Sequence, residues 1–403
     1  MATICLKHIT KIYSLYDQKH YVKAIQRRAA TRKQDPKLLS TMEIPPLENA
    51  QSKNGSFNAI DDLSLTIPDG KTLSIVGPSG CGKSTLLRII AGLIDYEGNV
   101  FYDDVNVNAI PVKERAIGMV FQNFALYPHF YGKGNVIFSL KMRKALSAEI
   151  EERVQTTAEI MGIGFKELLR RKPGTLSGGQ QQRVAIARAI TRDLELFLLD
   201  EPLSNLDAKL RTQTRIELHK LLNHFRITAV YVTHDQVEAI SLGDSIAVMR
   251  AGRIVQMGTY QELLHTPTNA FVAGFLGLPP MNLLSGTVND GRLTFSGFSI
   301  PLPNTVAHHT HTGQTVTLGF HSNAAMVAPD DQTQPVAHFR GQVAMLEPDF
   351  GGQRQIAFVR YGDQTLRVEV AQDVHITRDQ NIDIVLPLDS LYFFDVESEG
   401  RIF

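Results

Sequence analysis

Several short stretches of this chain carry residues whose types and spacing suit work on a phosphorylated ligand. Gly77-Pro78-Ser79-Gly80-Cys81-Gly82-Lys83-Ser84, followed by Thr85, fits a G-x-x-x-x-G-K-[ST] loop. Glycines there let backbone N–H groups wrap phosphate oxygens. A following helix adds roughly half a positive charge at its N-terminus. Lys83 is placed to reach β- and γ-phosphates, and the Ser84 hydroxyl to ligate Mg²⁺. A second stretch, Leu196-Phe197-Leu198-Leu199-Asp200-Glu201-Pro202, is an apolar run ending in two carboxylates. Acids at the end of a buried strand are costly unless cations or hydrogen bonds meet them. Asp200 suits the Mg²⁺ shell, while Glu201 points the opposite way and can orient or deprotonate a water. Phosphoryl transfer depends mainly on positioning and charge stabilisation, so one well-placed carboxylate suffices. Gln122 can touch both Mg²⁺ and an attacking water without titrating. His234, in Val230-Tyr231-Val232-Thr233-His234-Asp235, can donate to a γ-phosphate. A lone His after a strand is usually structural, so the case for these two rests on the ensemble.

The elements that must hold these groups can be read from periodicity. Residues 3–13 read as a strand. Alternating apolar residues resume at Ile60, Leu63, Leu65 and Ile67, and Pro68-Asp69-Gly70 forms a turn. Thr72 to Val76 is a strand that feeds into the glycine loop, with helical periodicity from Thr85 to Ala91. Residues 133–172 carry helix patterns, one ending at Gly162. Apolar runs at Leu194–Leu199 and Thr228–Val232 add two strands. Strand, crossover and strand in this order imply an α/β fold around a parallel sheet buried on both faces. Beyond about residue 280, short strand patterns are separated by turns at Asn289-Asp290-Gly291, Thr312-Gly313 and Gly362-Asp363. That spacing reads as a small antiparallel barrel or sandwich.

Composition sets limits. With 403 residues the chain has room for two or three domains. Its 41 basic and 41 acidic side chains cancel, which argues against a large nucleic-acid footprint. Only Cys5 and Cys81 are present, as expected of a reducing cytoplasm rather than a disulfide scaffold. No apolar run approaches the ~20 residues of a spanning helix. Work at a membrane would need another chain to span it. Between about 14 and 56 the texture is mixed and polar, with basic residues from Lys19 to Lys53 outnumbering acidic ones. Its first half, about 17–33, has the pattern of a basic helix. A solvated insertion is the plain reading of the basic stretch 19–37; docking to anionic headgroups or to a partner is the sharper one.

Leu176-Ser177-Gly178-Gly179-Gln180 lies between the glycine loop and Asp200-Glu201. With Gln122, Ser204-Asn205-Leu206-Asp207 and His234, it follows the order seen in the ATP-binding-cassette (ABC) ATPases, and over about residues 3–278 the chain resembles that superfamily. The resemblance implies a P-loop NTPase nucleotide-binding domain, about 1–278, with a helical subdomain at about 124–184 and the insertion at 14–56. A C-terminal all-β, OB-like regulatory domain follows at 279–403. It implies ATP and Mg²⁺, with ATP gripped between two facing subunits. Ser177, Gly178, Gly179 and Gln180 would complete the partner's site, much as an arginine finger does, an effect of order 10³–10⁵ in GTPases. Asp207 would couple the two sites. Tyr13 matches the aromatic that stacks on adenine, although the insertion leaves Tyr16, Tyr21 and Phe57 as alternatives.

Fused spanning helices, a second cassette and a long coiled coil are absent from the sequence, so it looks most like an importer ATPase. Tyr127-Pro128-His129, the run from Asp200 to Arg211, and Phe271 to Asn282 are similar to the maltose-type, carbohydrate-uptake group. The implied partners are a like or related ATPase, two transmembrane permease subunits and, indirectly, an extracytoplasmic solute-binding protein. The implied location is the cytoplasmic face of the cell (inner) membrane. ATPases for polyamine, metal-ion, sulfate or osmolyte import have similar tails, and a soluble ABC regulator is a further alternative. In the tail, Gly319-Phe320-His321-Ser322-Asn323 departs from the group's usual Gly-x-Arg-Pro-Glu. Phe124 to Tyr127 would line a cleft for a permease helix, or serve as ordinary core at Phe124. His308, His309 and His311 read as a solvated loop, since neither carboxylate nor Cys spacing supports metal ligation.

Overall fold

The apolar runs at 72–76, 196–200 and 228–232 become adjacent strands because each can be buried on both faces. The computed structural model describes residues 2–14, 56–162, 164–295, 297–327, 336–348, 354–371 and 374–402. It divides into two compact units, Met1–Thr259 and Tyr260–Phe403. Residues 260–278, grouped with the first domain on sequence, thus pack within the second unit. The expected basic helix at 17–33, Tyr16 and Tyr21 lie outside the described residues.

The first unit has a six-stranded sheet in the order β10-β9-β3-β8-β7-β6. Its members are β3 (Thr72–Val76), β6 (Ile117–Val120), β7 (Leu196–Asp200), β8 (Thr228–Val232), β9 (Ser245–Arg250) and β10 (Arg253–Gly258). All pairings are parallel except the β9–β10 edge. Side-chain alternation sorts the two faces. Leu196, Leu198, Val230 and Val232 join one core with helix α1 (Lys83–Ile90), while Phe197, Leu199, Ala229 and Tyr231 join the other. Each fully buried Val, Leu or Phe among them contributes about 1.5–3 kcal/mol, enough to anchor a strand whose last residue, Asp200, is a buried acid.

A smaller antiparallel sheet, β2-β1-β4-β5, covers the α1 face. Its strands are β1 (Ile4–Ser14), β2 (Ser56–Ile67), β4 (Glu97–Tyr102) and β5 (Val105–Asn106). Ser14 pairs with Ser56, so the two strands, despite irregularities between Leu6 and Ile12, remain paired up to the insertion that separates them in sequence. On the opposite face lie α2 (Gly132–Met142), α3 (Ser147–Ile160), α4 (Phe165–Leu168), α5 (Gly178–Ile190) and α6 (Ala208–Phe225). They share one core with the sheet, through Val136, Val154, Phe165, Val184 and Leu218. Helix α7 (Gln236–Leu242) follows β8.

The second unit pairs two five-stranded sheets around a single core containing Leu293, Phe320, Phe339, Val359 and Ile384. The strand pairings there are antiparallel. Two of the turns expected from sequence close hairpins: Asn289 pairs with Arg292 around Asp290 and Gly291, and Tyr361 with Gln364 around Gly362 and Asp363. Asp290 and Gly291 both have positive φ, 47° and 71°, as a two-residue hairpin turn of this twist requires. His308, His309 and His311 are exposed after the short helix Asn304–Ala307. Among the described residues, no group of three or more His, Cys, Asp or Glu is arranged to hold a metal.

Candidate functional site

The glycine loop leaves β3 and enters α1 at Gly82, whose φ of 108° suits only glycine and where a Cβ would meet the Ala59 carbonyl at 2.3 Å. At Gly77 a Cβ would stand 2.1 Å from the Met249 carbonyl. The loop is therefore pressed against neighbouring backbone, and the start of α1 has no side-chain cap. Unpaired N–H groups at such an end favour an anion. Lys83 is buried and donates to the carbonyls of Gly77 (2.8 Å) and Pro78 (3.0 Å). Cys81 packs into the core, where burial pushes its thiol up from the ordinary range.

Asp200 has the same parity on β7 as Leu196 and Leu198, which turns it toward α1. Ser84 Oγ donates to its Oδ1 at 2.8 Å. Burial pushes the Asp200 carboxyl up, against the opposing effects of the Ser84 hydrogen bond and Arg88; neighbouring Glu201 adds to the rise. Two oxygen donors, one of them a buried carboxylate, are chemically suited to a hard cation such as Mg²⁺. Glu201 follows with a positive φ of 44°, and its N–H donates to the Val232 carbonyl at 2.9 Å. Its Oε2 lies 3.0 Å from His234 Nδ1. A strained backbone at an acid beside a histidine marks a site held for a purpose other than packing.

A cleft of about 450 Å³ gathers Ser79, Gly80, Gly82 to Thr85, Gln122, Asp200 and Glu201. Arg88, which sequence reasoning did not single out, and Asn205, read there only as part of the Ser204–Asp207 motif, also line it. Arg88 stands one helical turn beyond Ser84. Asn205 lies inside the Ser204–Asp207 stretch and donates to the Gln122 carbonyl at 2.9 Å, while Gln122 Nε2 reaches Ser204 Oγ at 3.4 Å. His234 meets the cleft only through Glu201.

Other expected residues stand apart from this cleft. Tyr13 pairs with Phe57 across β1 and β2, their ring centroids 5.7 Å apart, and Lys11 Nζ lies 5.1 Å from the Tyr13 ring. Ser177 caps α5 in a reciprocal box: its hydroxyl accepts from Gln180 N, and Gln180 Oε1 accepts from Ser177 N at 3.1 Å. Gly179 packs on Leu210, where a Cβ would come within 2.2 Å. Asp207 caps α6 by accepting from Leu210 N at 3.0 Å.

Comparison with known proteins matches residues 60–204 to the ABC transporter family and 277–320 to the MalK OB fold domain. A xylose/arabinose import ATP-binding protein of Haloferax volcanii is 41% identical over 85% of this chain and 90% of its own length. The trehalose/maltose import ATP-binding protein of Thermococcus litoralis is 40% identical over 87% and 96%. The chain belongs to the ABC transporter ATP-binding proteins. An sn-glycerol-3-phosphate import ATP-binding protein of Escherichia coli O157:H7 is 41% identical over 87% of this chain and 97% of its own length. A solved dimeric bacterial ABC transporter cassette is 30% identical, with a TM-score of 0.50, covering 64% of this chain and 98% of that one. This ABC ATPase therefore combines a P-loop NTPase fold with an OB-like all-β domain. Among the described residues, no helix is long and apolar enough to cross a membrane.

The helical part of this ABC ATPase carries an aromatic surface. Phe124 is core, buried beside Val120 and Val136. Tyr127, Phe130 and Tyr131 are 40%, 42% and 55% exposed, unusual for rings of this size. Phe138 packs under Tyr127 and Phe130 with centroids at 4.5 and 5.8 Å. Arg188 fixes the segment by donating to the carbonyls of Phe124 and Ala125, and its guanidinium stands 5.7 Å from the Tyr127 ring. Phe124 and Ala125 both take positive φ, so the segment is held in a strained shape.

Proposed function

We propose that this chain is the ATP-hydrolysing subunit of an importer for a carbohydrate or related solute. It works as a dimer, with itself or with a related ATPase, peripherally on the cytoplasmic face of the cell membrane. Two permease subunits span the membrane, and an extracytoplasmic binding protein delivers the solute. The observation that carries this reading is the end of β7, where Asp200 meets Ser84 on one side and Glu201 meets His234 on the other. The import functions of the relatives support the direction of transport and the solute class.

In this reading the loop from Gly77 to Thr85 binds the ATP phosphates, with the Lys83 ammonium exchanging loop carbonyls for β- and γ-oxygens. Ser84, Asp200 and Gln122 would hold Mg²⁺, which would supply neutralisation of the phosphate charge. Glu201 orients the attacking water and accepts its proton. His234, 3.0 Å from Glu201, keeps that carboxylate aimed and donates toward the γ-phosphate. Tyr13 stacks on adenine. Ser177 to Gln180 reach the partner's ATP from the start of α5, and Asp207 links the two sites. The exposed aromatic surface receives a permease helix, and the OB-like domain regulates. Turnover by wild type and Glu201→Gln, assayed with the membrane subunits, tests the catalytic part: loss of hydrolysis with retained ATP binding is expected, and full activity would refute it.

A further inference from the structure

The turn that carries His234 is secured by buried polar groups that the cleft does not use. Glu238, in the first turn of α7, is 2% exposed. Its Oε2 accepts from Tyr231 Oη and Thr233 Oγ1, both at 2.7 Å. Burial, then the neighbouring Glu238 charge, hold the Tyr231 phenol well above its usual range, so it stays a donor. Thr233 Oγ1 also accepts from Asp235 N at 3.0 Å, and Asp235 Oδ1 accepts from the N–H groups of Val237 and Glu238. The residues on both sides of His234 are thereby fixed, while the imidazole itself stays 61% exposed.

One cation ties this turn to the loop before α6. Arg211 Nη1 stands 3.7 Å from Asp235 Oδ2, and its Nε, buried without a hydrogen bond, faces Glu238 Oε1 at 4.0 Å. The same guanidinium donates through Nη2 to the Leu206 carbonyl at 3.0 Å, and Arg211 N donates to the Asp207 carbonyl at 2.8 Å. Arg211 is about a third exposed and its contacts are long, and ion pairs of that kind add little to stability. Stability alone therefore accounts poorly for so many polar partners converging on the residues that bracket His234.

We propose that Glu238 and Arg211 are positioning residues for ATP hydrolysis, holding His234 against Glu201 and tying that contact to the 204–207 loop. The proposal rests on the reading that Glu201 and His234 act in hydrolysis. Neither Glu238 nor Arg211 touches the nucleotide cleft; they act through the turn.

Glu238→Gln keeps an acceptor for Tyr231 and Thr233 but turns an amide toward Arg211. In the full chain with its membrane subunits, kcat should fall about tenfold, as misplacement of a catalytic group does. The dissociation constant for MgATP should stay within roughly twofold, because the phosphate contacts are intact. In a His234→Ala background the same substitution should change the residual rate by less than about twofold, since a residue acting through His234 has nothing left to position. A purely structural role would lower kcat equally in both backgrounds, and that outcome overturns the proposal. Tyr231→Phe, which removes a single donor, repeats the test should Glu238→Gln fail to fold. Glu201→Gln separates the two readings. If it keeps wild-type turnover, the catalytic assignment itself fails. If it loses turnover while Glu238→Gln and Tyr231→Phe keep theirs, only the positioning proposal fails.

Discussion

Asp200 and Glu201 are neighbours in sequence, yet the strand sends them to different partners. Asp200 keeps the parity of the α1 face and meets Ser84; Glu201 breaks the strand at positive φ and meets His234. Burial holds the Asp200 carboxyl above its usual range. The folded chain therefore keeps a proton that the unfolded chain releases, and stability falls as pH rises from the ordinary carboxylate range through the raised value. Asp200→Asn should raise the thermal midpoint of the nucleotide-free protein near neutral pH and weaken MgATP binding about tenfold or more, the loss typical of a disturbed metal shell. A lower midpoint would contradict this account of Asp200. Glu201→Gln should lower turnover by about 10²-fold or more, the scale of general-base catalysis, with ATP affinity retained. Single-turnover hydrolysis and equilibrium binding on one preparation check both halves.

At the scale of elements, two helix starts have separable roles. Ser177→Ala removes the cap of α5 and should cost about 1 kcal/mol of stability. If Ser177 also contacts the partner's ATP, turnover should fall about 10²-fold, as loss of one preorganised donor does. A drop in thermal midpoint without the kinetic loss would leave Ser177 as a cap alone. The aromatic surface makes the opposite prediction. Phe130→Ala with Tyr131→Ala should leave stability within roughly 0.5 kcal/mol per site, as exposed substitutions do, yet release the protein from membranes in a flotation assay. Much of this level was legible in sequence. The strands at 72–76 and 228–232 stand where their apolar runs put them, because two-sided burial leaves little choice. The Asp290-Gly291 turn was legible because few residue types tolerate its φ values. The Glu238–Arg211 link was not legible, since a Glu, a Tyr and an Arg at those spacings look like an ordinary helix and strand until folding brings them together. Arg88 escaped notice for the same reason: its meaning depends on what stands opposite.

For the whole molecule, two compact units divide the chain at Thr259 and Tyr260. The border drawn at 278 on sequence follows the family resemblance, and the short helices Tyr260–His265 and Ala270–Phe275 precede it. In the structure Ala273 packs instead with Met281 and Phe394 of the second unit. We propose that this ATPase serves membrane-spanning permease subunits; among the described residues, no helix is long and apolar enough to cross a membrane. The most direct test of this proposal is recovery of the full chain from membranes in mild detergent, with the bound proteins identified by mass spectrometry. Two multi-spanning subunits in stoichiometric amounts are the predicted result, together with an extracytoplasmic binding protein whose ligand reveals the solute. Recovery as a dimer with no membrane-spanning partner would contradict the account.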